Sequence, residues 1–282
     1  MAVQERAKER VEFATQRSHF EKAFQLVYQE YLRKGYCSPN PYQMRYSIFS
    51  ALPKTVTFCL WRHDHLVGTA SVVFDSSLGL PMDDIYHNEL ENLRKSGRKP
   101  CEVSSLALNS DIISKGILPL YFAERLRCLY LIFKPIFWYA KATAKYSDLC
   151  IAVNPVHRNL YSSLHFEEFG VERIYQSVNN NSSIAMRLRF DGIEERGKIT
   201  PGLYKLFLGK VLEIPDISQV FRWNEQDFKY FFIDNSSISK KITPNELEFL
   251  VQSYPEILIK KLIEEKRSVT DYGEEPSLRR HP

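Results

Sequence analysis

Apolar positions recur at two different periods along this chain, and the switch between them predicts where strands give way to helices. Val11 to Ala14 fits a short strand. Ser18-His19-Phe20-Glu21 has capping-box spacing. The stretch behind it places Phe20, Ala23, Phe24, Val27, Tyr28 and Tyr31 three and four apart, predicting an amphipathic helix that stops near Lys34, before Gly35. Met44 to Leu52 predicts a second helical piece. Thr55–Trp61 and Leu66–Phe74 predict two strands of a hairpin around the polar turn Arg62-His63-Asp64-His65. A helix from about Met82 to Ser96, closed by Gly97, precedes a strand over Cys101–Asn109. A long apolar-rich helix then runs from about Leu118 to Ala144, with Pro135 expected to kink it. Its Glu124, Arg125, Arg127 and Lys134 make it a packed helix rather than a membrane span. Asp148–Val153 reads as a buried strand, His157–Leu164 as a short helix, and Val171–Tyr175 and Ile184–Phe190 as further strands.

Strands and helices in that order predict a mixed sheet flanked by helices, an α/β (α+β) sandwich, over residues 11–190. Residues 191–266 read as a helical extension or small accessory domain. Pro201–Lys210 looks helical, Asn224 caps a helix, Thr243-Pro244-Asn245-Glu246 starts another, and Pro255 opens a run to Lys266. Residues 267–282 form a polar tail expected to be disordered. A chain of 282 residues that is 44% hydrophobic can bury a large core. Its 38 Lys and Arg against 34 Asp and Glu leave a net charge of only +4, which gives no argument for nucleic acid. Five scattered cysteines without C-x-x-C spacing read as buried thiols in a reducing cytoplasm. The charged start of the chain lacks the apolar segment of a signal peptide. His63 and His65 sit at a hairpin tip with no third ligand nearby in sequence, so no metal is expected.

The Cys101–Asn109 strand breaks the simple pattern. Alternation puts Val103 and Ser105 on one face and Glu102, Ser104 and Leu106 on the other, so an acid and a hydroxyl share a strand that is otherwise core. Either Glu102 lies at a wet strand end, or the acid is kept in a cleft. Cys101 falls on the opposite face, which ranks a thiol nucleophile low, and the G-x-S-x-G elbow of serine hydrolases is missing.

Three passages carry a resemblance: Asp75 to Asp83, Cys101 to Ala107, and Ile151 to His157. Together they resemble bacterial N-acyl amino acid synthases, relatives of the acyl-homoserine-lactone synthases, and the element order resembles the GNAT acyltransferase fold. The resemblance implies transfer of a fatty acyl group from acyl carrier protein to the amine of an amino acid or similar amine, with no resident cofactor. Glu102 is then expected as the base. Ser104, Ser105 and Leu106 would meet the thioester carbonyl if the strand bulges or splays there. Tyr161 would act as acid toward the leaving thiolate, and Asn154 and His157 would orient pantetheine or substrate carboxylate. Arg94, Lys95, Arg98, Lys99, Arg125 and Arg127 are the expected carrier-docking residues. The family often has Arg where this chain has Ser105. Asn109–Gly116 also lacks the glycines of a pyrophosphate cradle, which favours a carrier-protein donor over coenzyme A. An acyl-homoserine-lactone-type synthase and a non-catalytic acyl-thioester-binding module remain alternatives. Peripheral membrane contact stays open.

Overall fold

A computed structural model describes residues 9–113, 118–143, 146–193, 195, 198 and 222–264. The chain divides into two compact units. The larger runs through Ser50 and from Lys54 to Phe221, and the smaller holds Ala51–Pro53 with the residues from Arg222 onward.

The larger unit is built on a seven-stranded sheet: β1 (Glu9–Phe13), β2 (Val56–Arg62), β3 (His65–Phe74), β4 (Pro100–Leu108), β5 (Asp148–Val153), β6 (Glu167–Tyr175) and β7 (Asn181–Arg189). The strand order is β1-β2-β3-β4-β5-β7-β6, and only the central β4–β5 pair is parallel. A parallel pair needs a long crossover, and α3 (Leu118–Trp138) supplies it. α1 (Arg17–Arg33) and α2 (Asp83–Lys95) serve the other face, while α4 (Arg158–Ser163) follows β5.

The α3 face holds the main core. Phe58, Leu60, Ala70, Val72, Cys101 and Val103 from the sheet meet Cys128, Ile132, Phe133, Ile136 and Phe137 from α3. Burying side chains of this size contributes about 1.5–3 kcal/mol each. α3 lies so close to the sheet that a Cβ on Gly68 would come 2.7 Å from Ile132 Cδ1. The outer end of α3 is tied to β1 and β2 by charge: Glu9 Oε1 accepts from Arg62 Nη2 at 2.8 Å and Arg127 Nη2 at 2.6 Å, and Glu124 also engages both arginines. On the opposite face, Gly170 of β6 lets the α2 residue Tyr86 approach. A Cβ there would meet Tyr86 Cδ1 at 2.8 Å, and the Tyr86 hydroxyl donates to Ser183 O at 2.6 Å.

Several local expectations are corrected. Ser18 is not the cap of α1. The Ala14 N–H donates to Thr57 O at 2.8 Å, so sheet pairing holds the chain through Ala14, and the helix starts at Arg17 with Gln16 as N-cap and no side-chain cap bond. Met44–Leu52 forms only a 3₁₀ turn, Ile48–Ala51. Met44 O is taken by the Asn40 side-chain amide at 3.1 Å and Arg45 N–H by Phe24 O at 3.1 Å, leaving no ladder for a helix. The long helix ends at Trp138 and continues as a wider turn over Tyr139–Thr143, after Pro135 removes one ladder donor. The expected strand at Val171 begins at Glu167. β6 is a sheet edge exposed along most of its length, so its first half carries no apolar signal.

In the smaller unit, Asn224 caps α5 (Glu225–Phe228), and Thr243 with Glu246 forms a capping box on α7 (Pro244–Ser253), as the sequence predicts. The short α6 (Ile238–Lys241) lies between them. Trp223, Phe228, Phe231 and Tyr254 pack at ring distances of 4.8–5.9 Å. The Tyr254 hydroxyl donates to Ala51 O at 2.7 Å, which accounts for Ala51–Pro53 belonging to this unit. Pro201–Lys210 and the 267–282 tail lie outside the described residues.

Candidate active site in the β4–β5 splay

β4 and β5 pair only from Pro100↔Asp148 to Glu102↔Cys150. Beyond Glu102 the strands part, β4 continuing along β3 and β5 along β7. The closed end is fastened by fully buried Asp148, whose carboxylate accepts from Arg98 Nε at 2.5 Å and from the Ser147 hydroxyl at 2.6 Å. Breaking a buried pair of this kind costs about 3–5 kcal/mol.

β4 also bulges. Thr69 pairs with Ala107 and Ser71 with Ser104, so two steps on β3 face three on β4, and Ser105 adopts φ 55. One extra residue reverses the alternation downstream. Leu106 therefore packs with the α3-face cluster beside Cys101 and Val103 rather than sharing the Glu102 face, which corrects the expected alternation. Ser104, Ser105 and Leu106 are half-buried in the middle of a strand buried at both ends. Their backbone has no β5 partner, the arrangement in which N–H donors can meet a carbonyl oxygen in the gap.

Glu102 is 3% exposed. Its Oε2 accepts from the Met82 backbone N–H at 2.8 Å, and no cation pairs with it among the described residues. Burial pushes its pKa up from the ordinary 4.5 to about 8; the Met82 bond works against that rise, while Asp83 and Asp84 add to it. A carboxyl with these properties holds its proton near neutral pH and can exchange it with an amine. Tyr31 of α1 and Tyr175 of β6 are both within electrostatic reach of Glu102, and the Tyr175 hydroxyl donates to Pro81 O at 2.8 Å. Cys101 is buried on the other face, bonded through Sγ to Asp148 O, and its thiol is pushed far up by burial. Of the remaining cysteines, Cys59, Cys128 and Cys150 are buried and Cys37 half-buried.

Tyr161 is buried in α4, its ring edge-on to Phe133 and Phe166. Burial raises its phenol strongly, with Tyr31, Arg125 and Tyr36 within electrostatic reach. Asn154 is a cap: its Oδ1 accepts from Val156 N–H at 3.1 Å and starts the turn that leads into α4. His157 is half-buried, and desolvation with Lys34 and Arg125 nearby holds its pKa below the usual imidazole value.

The six expected docking cations are not one patch. Arg94 is engaged by Asp75, Asp83 and Glu91, Arg98 by Asp148 and Asp191, and Arg127 by Glu9 and Glu124. Lys95 and Lys99 are exposed, Lys99 next to the closed end of the β4–β5 pair. Arg125 alone of the six lies toward the open end, with its Nη1 bonded to the Tyr121 hydroxyl at 2.7 Å. Lys34, which the sequence marks only as a helix end, joins it there, and desolvation with Arg125 nearby lowers its pKa. An open cleft of ≈ 580 Å³ lined by Arg33, Ser110, Asp111 and Tyr121 lies alongside. Its loop is fixed to α1: Glu30 accepts from Ser110 N–H at 3.0 Å and Ser110 Oγ at 2.6 Å, and Arg33 pairs with Asp111 at 2.8 Å.

Residues 22–189 match the family model of the N-acyl amino acid synthase FeeM. The chain belongs to the FeeM N-acyl amino acid synthase family. The solved structure of FeeM, an N-acyl amino acid synthase from uncultured soil microbes, is similar at 27% identity with a TM-score of 0.54, covering 71% of this chain and 95% of that one. The acyl-homoserine-lactone synthase LasI is similar in fold, at 14% identity and a TM-score of 0.52, covering 73% of this chain and 98% of that one. A comparison with curated proteins gave no significant match. Membership in the FeeM family makes this protein an N-acyltransferase, and the non-catalytic binding module is set aside. No described helix is long and apolar enough to cross a membrane.

Proposed function

We propose that the protein transfers a fatty acyl group from acyl carrier protein to the amine of an amino acid, with the β4–β5 splay as the reaction site. The observation that carries this reading is a buried Glu102, with no cation paired to it among the described residues, beside a bulged stretch of β4 that has no β5 partner.

The acyl-pantetheine arm enters the gap with its thioester carbonyl oxygen against the backbone of Ser104–Leu106. The ionised fraction of Glu102 takes a proton from the acceptor's ammonium, directly or through a water, and the freed lone pair attacks the carbonyl carbon. The N–C bond forms, negative charge passes to the carbonyl oxygen, and β4 N–H donors stabilise it. Collapse breaks the C–S bond, Tyr161 delivers a proton to the departing thiolate, and the second proton of the attacking nitrogen passes through water to the phenolate, which leaves a neutral amide and a neutral Tyr161. The products are an N-acyl amino acid and carrier protein with a free pantetheine thiol.

Two features favour the carrier over coenzyme A. The described part of the loop after β4 presents Asn109, Ser110 and the carboxylate of Asp111 where a pyrophosphate would need glycine-framed N–H groups. The open end of the gap carries Lys34, Arg125 and His157, which together suit an acidic protein surface or the pantetheine phosphate. His157 is assigned to this entrance. Asn154 shapes the turn that holds it. Arg94, Arg98 and Arg127 already serve internal ion pairs, so docking is assigned to Arg125 and Lys34, with Lys95 and Lys99 outside the entrance.

The test is an incubation of the protein with acyl-loaded carrier or acyl-coenzyme A and a panel of amino acids and S-adenosylmethionine, read by mass spectrometry. N-acyl amino acid formed from the carrier is expected. Product from S-adenosylmethionine alone, or faster turnover with coenzyme A, would overturn the acceptor or the donor assignment respectively.

A further inference from the structure

Among the described residues within electrostatic reach of the tyrosines that flank Glu102 is a cation, Arg45, with no anion of its own. Arg45 lies in the connection after α1. Its guanidinium carbon stands 4.6 Å over the Tyr31 ring, and its Nη2 donates to Ser177 O at 2.5 Å. No carboxylate of a described residue comes within ion-pair distance of it. The Asp84 carboxylate accepts from the hydroxyl of the same Ser177 at 3.2 Å. Most other cations around the cleft are paired: Arg33 with Glu30 and Asp111, Arg94 with three acids, Arg173 with Glu89.

The position is also rigid. Arg45 N–H is anchored to Phe24 O at 3.1 Å, Tyr46 stacks on Phe24 at 4.5 Å, and buried Met44 precedes it. Asn40 fastens the start of the same loop, its N–H donating to the Tyr28 hydroxyl at 3.3 Å. A planar guanidinium with one donor committed to Ser177 keeps the paired donors that a carboxylate fits. Tyr31 and Tyr175 each lie within electrostatic reach of both Glu102 and Arg45, and hydrogen bonds link the same neighbourhood: Arg45 to Ser177 O, the Tyr175 hydroxyl to Pro81 O, and Met82 N–H to Glu102. β4 itself has no cation between Glu102 and Asn109.

We infer that Arg45 binds the acceptor's α-carboxylate, stacked on Tyr31, while Glu102 faces its amine, so that the enzyme requires a free α-amino acid rather than a simple amine. A residue that binds only the non-reacting carboxylate orients the amine on its path to the thioester. The inference rests on the proposed acyl transfer at Glu102 and adds to it the residue that holds the acceptor's carboxylate.

The experiment compares an amino acid with its carboxamide as acceptors for wild type, Arg45→Gln and Arg45→Lys. Wild type is expected to favour the acid over the amide by about 10- to 100-fold in kcat/KM, the range of a lost charge-assisted hydrogen-bond pair. In Arg45→Gln that ratio should collapse toward one through a raised KM for the acid, and Arg45→Lys should restore part of it. A wild-type ratio near one, or an Arg45→Gln ratio equal to wild type, would overturn the inference. Calorimetric titration of the same acid and amide separates the two layers of the reading. If no amine is acylated, the proposed transfer falls on its own. Arg45 is then judged by whether Arg45→Gln loses the binding heat of the acid; unchanged or absent wild-type binding refutes it.

Discussion

Replacing Glu102 by Gln keeps the shape of the side chain and an oxygen that can accept from the Met82 N–H, but removes the ionisable group. Two consequences are separable. Catalysis should fall by about 10²–10⁴-fold, the usual contribution of a positioned base. Stability should change in the opposite direction as pH rises. The folded-state pKa is raised from 4.5 to about 8, so the stability linked to the Glu102 proton is fully present below pH 4.5 and is lost as pH climbs through 8. At about 1.4 kcal/mol per pH unit, wild type loses about 3 kcal/mol relative to Glu102→Gln between pH 6 and pH 9. For a chain of this size that amounts to roughly 6–12 °C in the difference between their Tm values. The assay is thermal unfolding of both proteins across that range, beside steady-state acylation. A Tm difference that stays flat from pH 6 to 9 would refute the buried, proton-holding carboxyl. Full activity in Glu102→Gln would refute the base.

Tyr161→Phe removes only the phenol, so thiol release should slow by about 10- to 100-fold while the fold is retained, measured by trapping free carrier thiol; an unchanged rate assigns Tyr161 to packing. Lys34→Ala with Arg125→Ala should raise KM for the acyl carrier about tenfold and flatten its salt dependence, with KM for the amino acid unaltered; a salt-insensitive KM in wild type contradicts docking by charge. Asp148→Asn leaves Arg98 without its buried anion and should cost about 3–5 kcal/mol in urea unfolding; a loss under 1 kcal/mol would show that the closed end of the splay is held otherwise. Gly170→Val drives a side chain into the Tyr86 ring and should cost about 1–3 kcal/mol by the same measurement, most simply seen as a lower midpoint.

Much of the frame was legible because it is written in local signals. The β2–β3 hairpin has alternating strands around a polar turn, β5 is a short apolar run, and the Thr243 start of α7 is a capping box; each appears where its residues predict. Glu102 stood out for the same reason, as an acid inside an apolar strand. The Ser105 bulge had no such signal. No glycine or proline marks it, and it shows only in the pairing of β4 with β3. Arg94 and Arg98 read as a surface basic cluster because a sequence window cannot see Asp75, Asp148 or Asp191 folding back onto them. Arg45 and Lys34 were invisible for the converse reason. One is a loop arginine and the other a helix-end lysine, and only the tertiary arrangement leaves them facing Tyr31 and the gap.

The central claim is that acyl transfer occurs where β4 parts from β5, and a crystal structure with a stable acyl-pantetheine amide tests it most directly. The account predicts pantetheine threaded between the strands beyond Glu102, its acyl carbonyl oxygen within hydrogen-bond distance of the Ser104–Leu106 backbone and its sulfur-side atom toward Tyr161. An analogue bound elsewhere, or a β4–β5 gap that stays closed to it at saturating concentration, would contradict the account.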